Sequence, residues 1–416
     1  MDKSVSSGRV IGSVTPPSSK SYAQRAIAAA LLADGITTLR GVEMCDDTEA
    51  ALDVIQTLGA SVEVIDEHTY KIKGGLSPIS NLLNIGESGL STRLFTPIAA
   101  LCDEPMTITG HGSIMRRPID MMIAPLEKLG IEVHCKEGLL PITVKGPLHG
   151  GEVEVDGSIS SQFITGLLTA LPCAQEDTII KVNTLNSKPY IDMTISTAES
   201  FGVDIVHRNY EEFFISGGQK YKAQDYRIEG DWSGASCLLV AGAIAGEVTL
   251  NNLNPLSLQA DKEILNALMD AGAEITTTGN SVSVAHKPLK AFTFNATDCP
   301  DLFPALATLA ACCEGVSTII GTDRLLAKES NRAETIASEF GKLGINIDIS
   351  EDNIMKIEGG TPTGGMVDSH GDHRIAMTLA VLALRATDEV IITGAECVSK
   401  SYKDFWEDYE KIVSYE

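Results

Sequence analysis

The chain has 416 residues, enough for two domains with cores of their own. Its 44% hydrophobic and 21% charged residues give the composition of a soluble globular protein. A formal net charge of -24, with only 32 Lys and Arg, argues against nucleic acid or an anionic membrane as the main partner and makes any local basic cluster informative.

Nine Cys with no Cys-x-x-Cys pair fit a reducing cytoplasm. Residues 1–10 lack the apolar core of a signal peptide, and the longest apolar runs, near 237–245 and 375–384, are too short for a bilayer. No His/Cys cluster has zinc spacing, no Walker-type run is present, and no feature requires a metal or an organic cofactor.

In chain order, Val5 and residues 9–14 are strand-like. Ser18-Ser19-Lys20-Ser21-Tyr22-Ala23-Gln24-Arg25 then leads into an alanine-rich helical run over 26–33. A helix N-terminus already carries roughly half a positive charge, so Lys20 and Arg25 at that end mark a place for an anion. Further small-residue helices are predicted at 94–102, 163–170, 235–245, 302–313 and 375–386, the fourth of these holding Cys312-Cys313 as buried thiols. Each of the six helices precedes a short β-rich run, at 37–40, 106–109, 178–181, 248–251, 317–320 and 390–393.

A second helical pattern ends in Gly59, Gly130, Gly202, Gly272 and Gly344, at spacings of 71, 72, 70 and 72 residues. Glycine stops a helix because it tolerates the left-handed conformation. The residues that follow alternate, turn and alternate again, which predicts a hairpin. The unit is therefore helix, strand, helix, hairpin. The sixth copy lacks its hairpin, because its second helix, near 404–412, runs to the C-terminus. The N-terminal strand pattern is expected to complete it. The expected domains are 13–228 and 1–12 with 229–416, three units in each. Two crossings, near residue 13 and within 226–231, would join them as a hinged clamp.

The unusual residues fall at the starts of the first helices: Lys20-Ser21 with Arg25; Gly86-Glu87-Ser88-Gly89 with Arg93; Ser158-Ile159-Ser160-Ser161-Gln162; Asp231-Trp232-Ser233-Gly234; Asp298 and Asp301; and Gly371-Asp372-His373-Arg374. Others follow the recurring strand: Arg116-Arg117, Ser187-Lys188-Pro189-Tyr190, Lys328-Glu329-Ser330-Asn331-Arg332 and Ser399-Lys400. Taken singly, Ser or Asp at a helix start is an N-cap, and Lys328 with Arg332 is a solvated helix face. Their recurrence at equivalent points of a repeated unit points instead to a site for a polyanion bearing phosphate and carboxylate groups.

Ser19-Lys20-Ser21-x-x-x-Arg25, Ser160-Ser161-Gln162-Phe163, Ser187-Lys188-Pro189-Tyr190, Lys328-Glu329-Ser330-x-Arg332, Asp372-His373-Arg374 and Ser399-Lys400 occur in this order over nearly the whole chain. Together they resemble the 5-enolpyruvylshikimate-3-phosphate synthase family. The resemblance implies an α/β fold, a two-lobed inside-out α/β barrel of six βαβαββ units with three per lobe. It implies a cytoplasmic, monomeric transferase of the shikimate pathway to chorismate and the aromatic amino acids. Its substrates would be shikimate 3-phosphate and phosphoenolpyruvate, and it would need no cofactor. Ser21, Arg25, Ser160, Ser161, Ser187, Tyr190, Asp301 and Lys328 would hold shikimate 3-phosphate. Lys20, Gly89, Arg117, Gln162, Arg332, Arg374 and Lys400 would hold phosphoenolpyruvate. Asp301 would take the proton of the 5-hydroxyl, and Glu329 with Lys20 would handle the proton at the methylene carbon.

One departure stands beside the expected phosphoenolpyruvate pocket. The family usually has Gly-Asn-(Ala/Ser)-Gly-Thr where this chain has Gly86-Glu87-Ser88-Gly89-Leu90. Gly89 is kept, so sensitivity to glyphosate is expected. Two other readings compete. UDP-N-acetylglucosamine enolpyruvyl transferases carry Lys-Asn in place of Lys20-Ser21 and a reactive Cys where this chain has Gly112. A non-catalytic phosphometabolite-binding clamp would have no need of both Asp301 and Glu329.

Overall fold

Six stretches rich in Ala, Leu and other small residues form helices in the computed structural model: Lys20–Leu32, Gly89–Ala99, Ser161–Ala170, Trp232–Ala245, Phe303–Ala311 and His373–Ala383. The structure describes every residue except Ile159, Ala327 and Glu416, so Ile159 of the Ser158–Gln162 run lies outside the described residues. A helix that is apolar all round must be enclosed on all sides. From Ala26 to Leu31, accordingly, no residue is more than 1% exposed. Five of the six helices begin several residues before their apolar runs, because the polar residue ahead of each is the cap. Ser19, Ser88, Ser160, Asp231 and Asp372 accept hydrogen bonds from the backbone N–H of Tyr22, Ser91, Gln162, Ser233 and Arg374. The motif side chains therefore occupy first turns. Phe303–Ala311 differs: a 3₁₀ turn, Pro300–Leu302, precedes it and carries Asp301.

The chain divides into two compact units, Ser18–Ile228 and Met1–Pro17 with Glu229–Glu416. In the first, three four-stranded sheets share one strand pattern. Ile36–Arg40, Met106–Thr109 and Thr178–Asn183 each pair antiparallel with the second strand of a hairpin: Ser61–Asp66/Thr69–Lys73, Glu132–Lys136/Leu139–Lys145 and Ile205–Arg208/Glu212–Ile215. On its other side each pairs parallel with a further strand: Asp225–Arg227, Leu82–Asn84 and Gly151–Asp156.

In the second unit, Gly246–Leu250 and Val316–Ile320 repeat that pairing, with Gly8–Val14 and Thr293–Asn295 as their parallel neighbours. Val390–Thr393 pairs parallel with Gly365–Asp368 and antiparallel with Lys3–Val5. The N-terminal strand thus takes the position a hairpin strand fills elsewhere. Of the parallel leading strands, periodicity found Gly8–Val14 but missed Leu82–Asn84, Asp225–Arg227 and Thr293–Asn295, which are only three residues each. A further short strand, Val413–Tyr415, follows the last helix and pairs with Gly8–Val10. The five helix-stopping glycines all take positive φ, from 79° to 114°. Cys313 is buried and Cys312 half-buried, and burial pushes both thiols up to about 12. Among the described residues, no helix is long and apolar enough to cross a membrane.

Helices Gly89–Ala99 and Ser161–Ala170 pack closely, and Gly166 is what permits it: a Cβ there would lie 2.1 Å from the carbonyl oxygen of Arg93. That contact also sets Arg93 beside Gln162. Gly166→Ala must push the two backbones apart and is expected to destabilise the protein by about 1–3 kcal/mol. Urea denaturation checks this, and an unchanged midpoint would show that the helices have room to separate.

Candidate active site

The predicted site residues gather into two clusters, one in each unit. In Ser18–Ile228 the centre is Arg25, 3% exposed. Its guanidinium donates to Thr194 Oγ1 (2.9 Å), Thr165 Oγ1 (3.4 Å) and the carbonyls of Ser21 (2.8 Å) and Tyr190 (3.0 Å). All four acceptors are neutral. Burial lowers the guanidinium to about 10, so it remains charged at neutral pH. Ser21 and Tyr190 are thereby brought to one group. Ser187, beside them, is 4% exposed and holds a left-handed backbone (φ 59°) at the start of helix Lys188–Ser200.

A second buried cation, Arg93, is 2% exposed and again has only neutral acceptors: the carbonyls of Gly89 (3.1 Å) and Pro118 (3.0 Å) and Gln162 Oε1 (3.5 Å). Burial, followed by the charge of Arg117, lowers it to about 9. Its Nε has no hydrogen-bond partner among the described residues. Gly89 faces Arg117 so closely that a Cβ would meet the guanidinium at 2.8 Å. Gly89, Arg117, Gln162 and the Ser160-capped helix start are thus grouped around Arg93. Lys20 donates to Asp47 at 2.8 Å, and Gln24 joins the two groups by donating to the Asp47 carbonyl (3.3 Å) and to Ser88 Oγ (3.1 Å).

In the other unit the centre is Arg332, which opens helix Arg332–Lys342 and is 1% exposed. It donates to Asp301 (2.7 Å), Glu329 (2.8 Å) and both oxygens of Asp372 (2.8 and 3.2 Å). Lys328 reaches Asp301 at 3.1 Å, Arg374 lies 3.8 Å from it, and Lys400 lies 3.6 Å from Glu329. Burial favours protonation of Asp301, but Lys328, Arg374 and Arg332 override it and hold the carboxyl well below its usual range. Burial also lowers Lys328, with Asp301 opposing. Asp372 caps its helix through the Arg374 N–H while it holds Arg332 and accepts from Ser330 Oγ at 3.2 Å. Arg374 is further fixed by the Ser233 carbonyl at 3.2 Å, and Ser233 Oγ donates to Asp261, whose carboxyl is raised to about 6 by burial and by Asp301.

The structure thus groups most of the predicted residues in these two clusters, while Ser161, 4% exposed, opens the helix that Ser160 caps. Lys328 and Arg332 are not a solvated face. Asp298 and Arg116 are exposed. Sequence reasoning missed Asp47, Arg93 as a structural centre, Asp261, and the pivotal place of Asp372. The signals available were slight: an Asp46-Asp47 pair opening a helix, and a cap residue next to Arg374.

A family model described as EPSP synthase (3-phosphoshikimate 1-carboxyvinyltransferase) matches residues 5–409. The chain is 37% identical over 417 residues to the 3-phosphoshikimate 1-carboxyvinyltransferase of Clostridium beijerinckii, covering 97% of this chain and 96% of that one. It is also 37% identical over 412 residues to the Clostridium perfringens SM101 enzyme of that name, covering 98% and 97%. Among solved structures, EPSP synthase from Acinetobacter baumannii aligns with a TM-score of 0.83 at 26% identity, covering 99% of both chains. With a match of this extent, over the sequence that builds both clusters, the chain belongs to the EPSP synthase family.

Proposed function

We propose that the chain transfers the carboxyvinyl group of phosphoenolpyruvate to the 5-hydroxyl of shikimate 3-phosphate and releases phosphate, as a cytoplasmic monomer. The observation that carries this reading is that Asp301 and Glu329 share one buried guanidinium, Arg332, with Lys328, Arg374 and Lys400 around them. Two carboxylates held apart on one rigid donor suit a reaction that moves two different protons. A mere anion-binding protein would gain nothing from them.

In this reading Asp301, kept ionised by its cations, takes the proton of the 5-hydroxyl as the oxygen attacks phosphoenolpyruvate. Glu329, together with Lys20, supplies a proton to the methylene carbon and later recovers it, so that the tetrahedral intermediate collapses with loss of phosphate. Ser21, Arg25, Ser160, Ser161, Ser187, Tyr190 and Lys328 hold shikimate 3-phosphate. Lys20, Gly89, Arg117, Gln162, Arg332, Arg374 and Lys400 hold phosphoenolpyruvate. Arg25 and Arg93 support the anion-binding half of the reading, since each is an enclosed charge with neutral partners only. Arg332 makes four of its five possible N–H bonds to the described residues, and the fifth, on its NH1 group, is proposed to meet a ligand. The finer architecture belongs to the same proposal: the six principal sheets are six copies of one βαβαββ unit, three in each of two lobes, 13–228 and 1–12 with 229–416, in an inside-out α/β barrel. Retention of Gly89 makes glyphosate an expected competitor of phosphoenolpyruvate.

Phosphate release from phosphoenolpyruvate is expected with shikimate 3-phosphate and not with UDP-N-acetylglucosamine. Release with the nucleotide sugar alone would transfer the chain to the rival acceptor class, and release with neither would leave a non-catalytic binder. Lys20→Met and Glu329→Ala are each expected to lower kcat by about 10²–10⁴-fold. A near-normal rate in steady-state assays of either variant would remove that residue from the mechanism.

A further inference from the structure

We propose that Glu87 is a positioning residue that fixes the Arg117 segment against Gly89 and so sets the fit of phosphoenolpyruvate, an inference that rests on the function proposed above. Glu87 lies between Gly86 (φ 61°) and Ser88, the cap of helix Gly89–Ala99. One of its carboxylate oxygens accepts from both the backbone N–H and the hydroxyl of Ser113, each at 2.9 Å. Gly112 makes room for this. A Cβ on Gly112 would fall 2.1 Å from the other carboxylate oxygen, and its φ of +64° disfavours any other residue.

The loop is seated on the same strand end through its backbone. His111 N–H donates to the Gly86 carbonyl at 3.0 Å, and a Cβ on Gly110 would lie 2.4 Å from that same oxygen. At its far end, the Pro118 carbonyl accepts from Arg93 at 3.0 Å. The segment from Gly112 to Pro118 is therefore tied at both ends to one helix, by Glu87 ahead of it and by Arg93 within it. Arg117 lies between the two ties, where its guanidinium closes on Gly89. Hydrogen bonds to an ionised group are the stronger class, so the Glu87 tie is a firm one. Asparagine, the usual family residue here, is one methylene shorter and cannot span the same gap unless the loop moves. A carboxylate in this place thus serves to hold a cation-bearing loop, and its charge faces two donors.

The test compares the unsubstituted chain with Glu87→Ala, Glu87→Gln and Ser113→Ala, titrating phosphoenolpyruvate at saturating shikimate 3-phosphate and the reverse. Glu87→Ala is expected to lower kcat/KM for phosphoenolpyruvate on the order of 10- to 100-fold, the effect of a small misplacement in a positioned site, with the KM for shikimate 3-phosphate unchanged. Glu87→Gln keeps an oxygen for the Ser113 N–H and is expected to restore most of the loss. Ser113→Ala removes one bond of the two and is expected to fall between them. Equal effects on both substrates, or a KM for phosphoenolpyruvate within twofold of the unsubstituted value in Glu87→Ala, would overturn the proposal. Amide hydrogen exchange at Ser113 needs no turnover. It is expected to accelerate in Glu87→Ala and not in Glu87→Gln. No acceleration would overturn the positioning role by itself, whereas an unsubstituted chain that releases no phosphate would sink the function instead. If Glu87→Ala fails to fold, the Ser113→Ala titration decides the matter.

Discussion

The structure is organised around guanidinium groups that have been taken out of water. Burying an unpaired charge is costly, and proteins commonly resolve it by pairing the charge or shifting its pKa. This chain resolves it in two opposite ways. Arg25 and Arg93 are surrounded by hydroxyls, carbonyls and an amide oxygen, and burial pulls both below the usual arginine value. Arg332 is surrounded by Asp301, Glu329 and Asp372, whose charges outweigh its burial and raise it well above that value. The first arrangement leaves positive charge to be neutralised by a ligand. The second is already neutralised and acts as a rigid mount for carboxylates.

Much of what fixes these arginines follows from how the buried helices begin. Because the cap of five of these helices is a Ser or Asp ahead of the apolar run, the residues of the first turn remain at the end of an otherwise enclosed helix. Lys20, Ser21 and Arg25 therefore share one helix start with the cap Ser19. Asp372 is the clearest case of economy. One side chain caps a helix, binds Arg332 through both oxygens and stands next to Arg374. In the other unit, Gly166 brings two helices close enough for Arg93 to meet Gln162, and Gln24 links the Lys20–Asp47 pair to the Ser88 cap.

Much of this was legible in the sequence, for identifiable reasons. The glycine stops were visible because a left-handed helix end nearly requires glycine, and the hairpins because their strands alternate over several residues. The site residues were visible because cations at helix starts oppose the helix dipole and recur. What stayed hidden depended on partners distant in the chain. The three-residue leading strands are too short to show a period, and Asp225–Arg227 finds its neighbour at Ile36–Arg40. Asp47 reads as an ordinary acidic first turn until Lys20 is seen against it, and Arg93 reads as one polar residue in an apolar helix until Pro118 and Gln162 close around it. Glu87 was legible as a departure from its family, but its purpose was not, because Ser113 and Gly112 lie more than twenty residues on.

Among the described residues Arg25 meets only neutral acceptors, so in the proposed function its charge awaits an anionic substrate. Thermal denaturation of the unsubstituted chain and of Arg25→Met, each with and without shikimate 3-phosphate, tests it most directly. Arg25→Met alone is expected to melt at or above the unsubstituted temperature, since a buried unpaired charge has been removed, and to lose its stabilisation by shikimate 3-phosphate. A variant that melts far lower without ligand yet keeps the full ligand-induced rise would contradict it, and would make Arg25 a structural residue whose charge the fold already satisfies.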